Sequence, residues 1–179
     1  MGVSEIVPRE TKHGLVADGD GWFVINAAES RWSDTGPFGC YCNFEGKRRF
    51  KQLGLNLNVL EPGQAIGLYH RERAQEDFLV LAGECLLLVE GQERTLRPWD
   101  FVHCPPGTNH MIVGAGSGPA LVLAVGARGP RRSGIVYPAE PLAREHGVGV
   151  KRETTRRDEA YAAFPRRTRV AYRPGWLPE

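Results

Sequence analysis

No stretch of this 179-residue chain stays apolar for the roughly 18 residues that a membrane span requires. Its polar opening, Met1-Gly-Val-Ser-Glu5, has none of the apolar core of a secretory leader. Both absences point to a cytoplasmic protein with no membrane partner. Cysteine is sparse, and Cys40, Cys42, Cys85 and Cys104 form neither a CxxC pair nor a dense secreted spacing, so reduced thiols are expected. Cys40 and Cys42 alone fall two ligands short of a zinc knuckle. The chain also lacks an internal repeat, a low-complexity tract and a readable helix-turn-helix.

What is present is the composition of an ordinary globular domain, long enough to bury a core without covalent cross-links. Its formal net charge of +2 hides an asymmetry. Residues 1–126 carry 11 Lys/Arg against 15 Asp/Glu, a balance of −4, and residues 127–179 carry 12 against 6, a balance of +6. A basic tail can bind nucleic acid, but here the basic residues are spread among Tyr137, Tyr161, Phe164, Tyr172 and Trp176. That mixture suits an arm docked on a protein surface, so no nucleic-acid partner is expected.

Periodicity is that of strands. Residues 22–25 form a short apolar run, and a Ser-, Asp-, Gly- and Pro-rich loop follows over 26–39. Residues 50–60 set Leu53, Leu55, Leu57 and Val59 against Gly54, Asn56 and Asn58, the alternation of a half-buried strand ending at Glu61-Pro62-Gly63. Residues 78–90 read as two strands broken at Gly83-Glu84, with a hairpin at Gly91-Gln92 and a return over 93–97. Another strand is expected over 121–125. Beyond Arg128 the prolines Pro130, Pro138 and Pro141 and Gly134 mark a turn-rich path, followed by a short helix over 155–164 with Thr155 as N-cap.

The chemistry-bearing residues lie between Gly63 and Gly114. Alternate residues of an extended segment share a face, which places Ile66, Leu68, His70 and Glu72 together, with Glu76 and Phe78 on the next strand. Pro105-Pro106-Gly107 is a tight turn that delivers His110. Imidazole and carboxylate together suit one divalent metal, whether zinc, manganese, nickel or iron, so His70, Glu72, Glu76 and His110 form the candidate ligand set. Glu72 has a second possible role, as a catalytic general base near a bound substrate. Leu57, Val59, Ile66, Leu68, Phe78 and Ile112 are the expected apolar walls of the cavity. Trp99 is expected to sit buried in a turn, Tyr69 to face away from the cavity, and His103 to stand outside the ligand set.

These residues resemble the cupin family. Its first motif pairs His-x-His with a glutamate three or four residues on and a glycine six residues after that; His70, Glu76 and Gly83 match, with Glu72 in place of the second histidine. In the second motif Pro105, Gly107 and His110 match, while Trp99 replaces the leading glycine and Gly114 the trailing asparagine. The resemblance covers residues 55–126 and implies an all-β fold, an antiparallel double-stranded β-helix or jelly-roll barrel. It divides the chain into an N-terminal arm with an edge strand (1–45), the barrel (46–128) and a C-terminal extension with a short helix packing on the barrel or a partner subunit (129–179). A metal-dependent oxygenase, isomerase or decarboxylase acting on a small molecule is one implied function, and a non-catalytic ligand-binding or sensory barrel is the other. Exposed strand edges make a homodimer the expected assembly.

Overall fold

The computed structural model describes residues 2–128 and 134–178, so Pro130 lies outside the described residues. Among the described residues ten strands carry the fold: β1 Trp32–Asp34, β2 Cys40–Cys42, β3 Leu53–Leu60, β4 Glu76–Ala82, β5 Glu84–Val89, β6 Gln92–Leu96, β7 Phe101–Cys104, β8 His110–Ala115, β9 Ala120–Ala127 and β10 Thr168–Val170. Seven form one antiparallel sheet in the order β10-β1-β2-β3-β9-β4-β7, and three form a second sheet in the order β6-β5-β8. Residues 63–70 add an interrupted fourth strand to β8, with hydrogen bonds from Gly63 N to Gly114 O, Ile66 N to Ile112 O and His70 N to His110 O. The all-β jelly roll implied by the motifs is the fold observed.

Between the two sheets lies the barrel core, built from inward positions of both, including Phe78, Val80, Leu87, Val102, Ile112 and Val122. Its turns follow local chemistry. Glu90 and Gly91 both take positive φ, 47° and 70°, and close the β5–β6 hairpin as a two-residue turn. The turn is thus one residue earlier than the expected Gly91-Gln92. Gly107, at φ 91°, occupies the left-handed position of the Pro105–Thr108 turn, closed by a bond from Thr108 N to Pro105 O of 3.2 Å.

Several expectations need correction. Residues 22–25 form no strand; Trp22 makes only a bridge to Glu5, and Val24 is 80 % exposed, because no neighbouring strand runs alongside to pair with them. The strand lies instead at β1, inside the expected loop, where Trp32 is wholly buried. The expected helix over 155–164 is a single turn, α2 Arg157–Ala160, with Arg156 as N-cap; the hydroxyl of Thr154 rather than Thr155 accepts from Arg156 N at 3.1 Å. A preceding helix, α1 Pro141–Glu145, starts with proline in its first turn and a Glu140 side chain accepting from Leu142 N. Trp99 is 73 % exposed rather than buried.

The C-terminal extension packs on its own barrel. β10 pairs with β1, setting Trp32 opposite Val170, while the rings of Tyr172 and Trp176 lie tilted against Trp32 at 6.3 and 5.0 Å between ring centroids. Tyr137, Ala143, Val148 and Phe164 cover the outer face of the small sheet at Leu88, Met111 and Val113. Among the described residues no helix is long and apolar enough to cross a membrane.

Candidate metal centre

His70 and His110 sit directly opposite each other as an antiparallel backbone pair, each N–H donating to the other's carbonyl at 3.2 and 2.8 Å. That register places their rings side by side, with centroids 5.1 Å apart. Glu76 opens β4 in the other sheet and reaches across the barrel, so its Oε2 is 3.3 Å from both His70 Nε2 and His110 Nε2. One donor atom from each of the three lies within 4.8 Å of the others.

Backbone carbonyls set the orientation of both rings. His70 Nδ1 is 2.8 Å from Leu68 O and His110 Nδ1 is 3.0 Å from Thr108 O. A carbonyl only accepts, so each Nδ1 carries the proton and each Nε2 of a neutral ring turns its lone pair inward. Three acceptors then face one another, an arrangement that a shared cation relieves. His110 Nε2 is fully buried, yet makes no hydrogen bond among the described residues although Glu76 Oε2 lies 3.3 Å away. Without a metal, a proton takes the cation's place. Burial works against the Glu76 carboxylate, but the His110 and His70 imidazoles beside it prevail and hold it down at about 2. Burial also disfavours the His110 imidazolium, and there the adjoining Cys104 and Glu76 prevail and raise it to about 10.

Glu72, the fourth residue of the expected ligand set, is not part of this converging group. Its Oε1 lies 3.8 Å from His70 Nε2, and the side chain, 30 % exposed, faces a cleft of about 760 Å³ alongside Pro106, Gly107 and Val136. His103 stands on the outer face with Nδ1 2.6 Å from Asp77 Oδ1, opposite in phase to buried Cys104. Tyr69 is buried on the outer side of the small sheet, where its hydroxyl accepts from Gly91 N. The four cysteines are free, and burial pushes the Cys85 thiol up to about 12.

The expected cavity wall is half right. Phe78, Ile66 and Ile112 belong to the interior, but Leu57 and Val59 face outward beneath the extension and Leu68 packs in the outer cluster of the small sheet. In β3 it is Asn56, Asn58 and Leu60 that point inward, beside Ala124, Val122 and Ala120 of β9. The alternation was legible, but its phase was inverted, because the outer face is also covered and so is as apolar as the inner one. Asn58, 95 % buried, bonds to the carbonyls of Asn56 and Val122, both at 3.3 Å. Sequence reasoning also missed Glu45 and Arg128, an ion pair between the arm and the end of β9; no spacing rule links residues so far apart.

A jelly-roll barrel with two histidines and a glutamate converging on its interior is the class defined by fold and site. Residues 56–126 match a family model described as a cupin domain, and this barrel segment is a cupin domain. Solved structures that match include a sugar phosphate isomerase of the cupin superfamily from Silicibacter pomeroyi, 27% identical over 62% of this chain and 71% of that one, with a TM-score of 0.47. A protein from Acidithiobacillus ferrooxidans is 28% identical over 48% of this chain, with a TM-score of 0.44, and the match spans 55% of its length. KdgF from Halomonas sp. is 23% identical over 55% of this chain and 87% of its own, with a TM-score of 0.48. No curated protein matches the chain.

Proposed function

We propose that this protein is a metal-binding cupin that holds one divalent cation through His70, Glu76 and His110 and binds a small molecule in the barrel beside it. The observation that carries this reading is the buried, unbonded Nε2 of His110, aimed with His70 Nε2 at the same carboxylate oxygen. Nitrogen and carboxylate donors fit zinc, manganese, nickel or iron, and three protein ligands leave coordination positions open. A cation there supplies polarisation of an oxygen on the bound molecule.

In this reading Glu72 works beside the centre rather than in it. Its position next to His70 and at the cleft lets it accept or return a proton while keeping exchange with solvent. Such a role makes the protein an enzyme for proton transfer on its ligand, whereas a barrel used only as a container has no need of that carboxylate. Elemental analysis of protein purified without added metal tests the centre: near one equivalent of a first-row metal, lost in His110→Ala, is the expected result. A metal-free chain that takes up no zinc, manganese, nickel or iron on addition overturns it.

A further inference from the structure

Arginines collect at one place in this molecule. A cavity of about 590 Å³ opens where the arm, β3 and the extension meet, and Arg49, Arg128, Arg157, Arg166 and Arg167 line it. The carboxylate among its lining residues is that of Glu45, and it is already taken. Glu45 accepts both guanidinium nitrogens of Arg128 and the backbone N–H of Phe50, the last at 2.9 Å. Arg49, Arg157, Arg166 and Arg167 therefore leave the cavity strongly positive.

The cavity belongs to the inner face of the barrel. Asn56, Asn58 and Ile66 line it, and all three point inward. Arg128 spreads across Gly54, whose Cβ would come within 2.9 Å of the guanidinium. Gly54 pairs with Gly126, and Gly126 pairs with Glu76. A Cβ on Gly126 would lie 3.6 Å from Glu76 Oε1. Gly54, Gly126 and Glu76 thus form one row across three adjacent strands, about 10 Å long at the usual strand spacing, with the Arg128 guanidinium over its Gly54 end. The row joins the positive cavity to the histidine and glutamate cluster.

Guanidinium groups offer paired N–H donors that match the two oxygens of a carboxylate or phosphate. Arg167 is held in place by donating to Tyr41 Oη at 2.7 Å, and Arg157 lies over the Tyr161 ring, 5.3 Å from its centroid. Tyr161 in turn accepts from Leu68 N at 3.0 Å, two residues before His70. We infer that the ligand of this barrel is a small organic anion, a carboxylate or a phosphate ester, whose charged end sits among Arg49, Arg157, Arg166 and Arg167 while its neutral oxygens reach toward the centre. The inference rests on the ligand-binding reading given above and adds the chemical class.

Titration calorimetry of the full chain with glucose, glucuronate and glucose 6-phosphate tests it, since the three share a frame and differ in charge. Binding of at least one charged sugar about tenfold or more tighter than glucose is expected at low salt, fading toward ~0.5 M salt. Arg157→Gln combined with Arg166→Gln should erase the preference, and Arg152→Gln, on the surface outside the cavity, should keep it. Tighter binding of the phosphate assigns a phosphate ester, and tighter binding of glucuronate a carboxylate. Equal affinity for all three, no binding of either anion, or a preference surviving the double substitution overturns the inference. Metal content is measured on the same wild-type preparation. A barrel that takes no metal but prefers the anion refutes the metal reading alone, and a metal-loaded barrel without the preference refutes the pocket alone.

Discussion

Glu76 Oε2 stands 3.3 Å from His110 Nε2, across the barrel, close enough for the two residues to share a charge. One lies on each sheet, at the first residue of its strand. A proton or a divalent cation can occupy the space between them, and the competition between the two decides how the centre behaves.

Metal uptake should therefore release a proton. His110 is raised to about 10 in the absence of metal, so at pH 7.5 its imidazolium must give up a proton before Nε2 can ligate. Calorimetric zinc binding in buffers of different ionisation enthalpy should show about one proton released per ion, and affinity should climb with pH. His110→Ala should lower affinity at least about tenfold. Binding heats identical in all buffers would contradict the assignment.

The metal-free protein should be most stable in mildly acidic solution. The raised His110 contributes fully below its ordinary 6.5 and loses that contribution as pH rises through about 10. Depressed Glu76 contributes fully above its ordinary 4.5 and loses it as pH falls through about 2. The two windows overlap between 4.5 and 6.5. Urea unfolding across this range should show the plateau in wild type, and Glu76→Gln should remove the alkaline decline. A stability maximum above pH 8 in the metal-free chain goes against the pairing.

Glu72→Gln separates ligation from proton transfer. With Glu72 outside the converging group, the variant should keep its metal to within a factor of about three and lose ligand turnover by 100-fold or more. A parallel loss of metal would make Glu72 the fourth ligand.

The docked extension should matter to stability. Trp176 covers Trp32, and Trp176→Ala should cost roughly 2 kcal/mol in urea unfolding, since a half-buried indole is removed from an aromatic cluster. An unchanged midpoint would mean that the extension contributes nothing to the fold.

For the proposed homodimer the extension is engaged with its own barrel, which turns attention to β7, a free edge of the large sheet. Trp99 is exposed there at φ 76°, the left-handed position of a turn closed by Asp100 N to Arg97 O, with exposed Phe101 beside it. Holding tryptophan in that conformation costs about 1–2 kcal/mol, so Trp99→Gly should leave unfolding stability within about 1 kcal/mol of wild type. Light scattering should find a dimer in wild type and a monomer in Trp99→Gly. A monomeric wild type disposes of the dimer.

The barrel and the triad were legible in the sequence because both are written in local spacing. His70, Glu76 and His110 stand at distances set by a strand, a turn and a return, and Pro105-Pro106-Gly107 can hardly be anything but the turn before His110. What the tertiary structure decided is which face of each strand is inside. The alternation of β3 is symmetric under exchange of its faces, and only the docking of Tyr172 and Trp176 on the outer one shows that Leu57 and Val59 belong outside while Asn56 and Asn58 belong within. For the same reason the arginine-lined cavity was invisible: Arg49, Arg128, Arg157 and Arg167 come from segments far apart in the chain, and their meeting depends on how the arm and the extension close around the barrel.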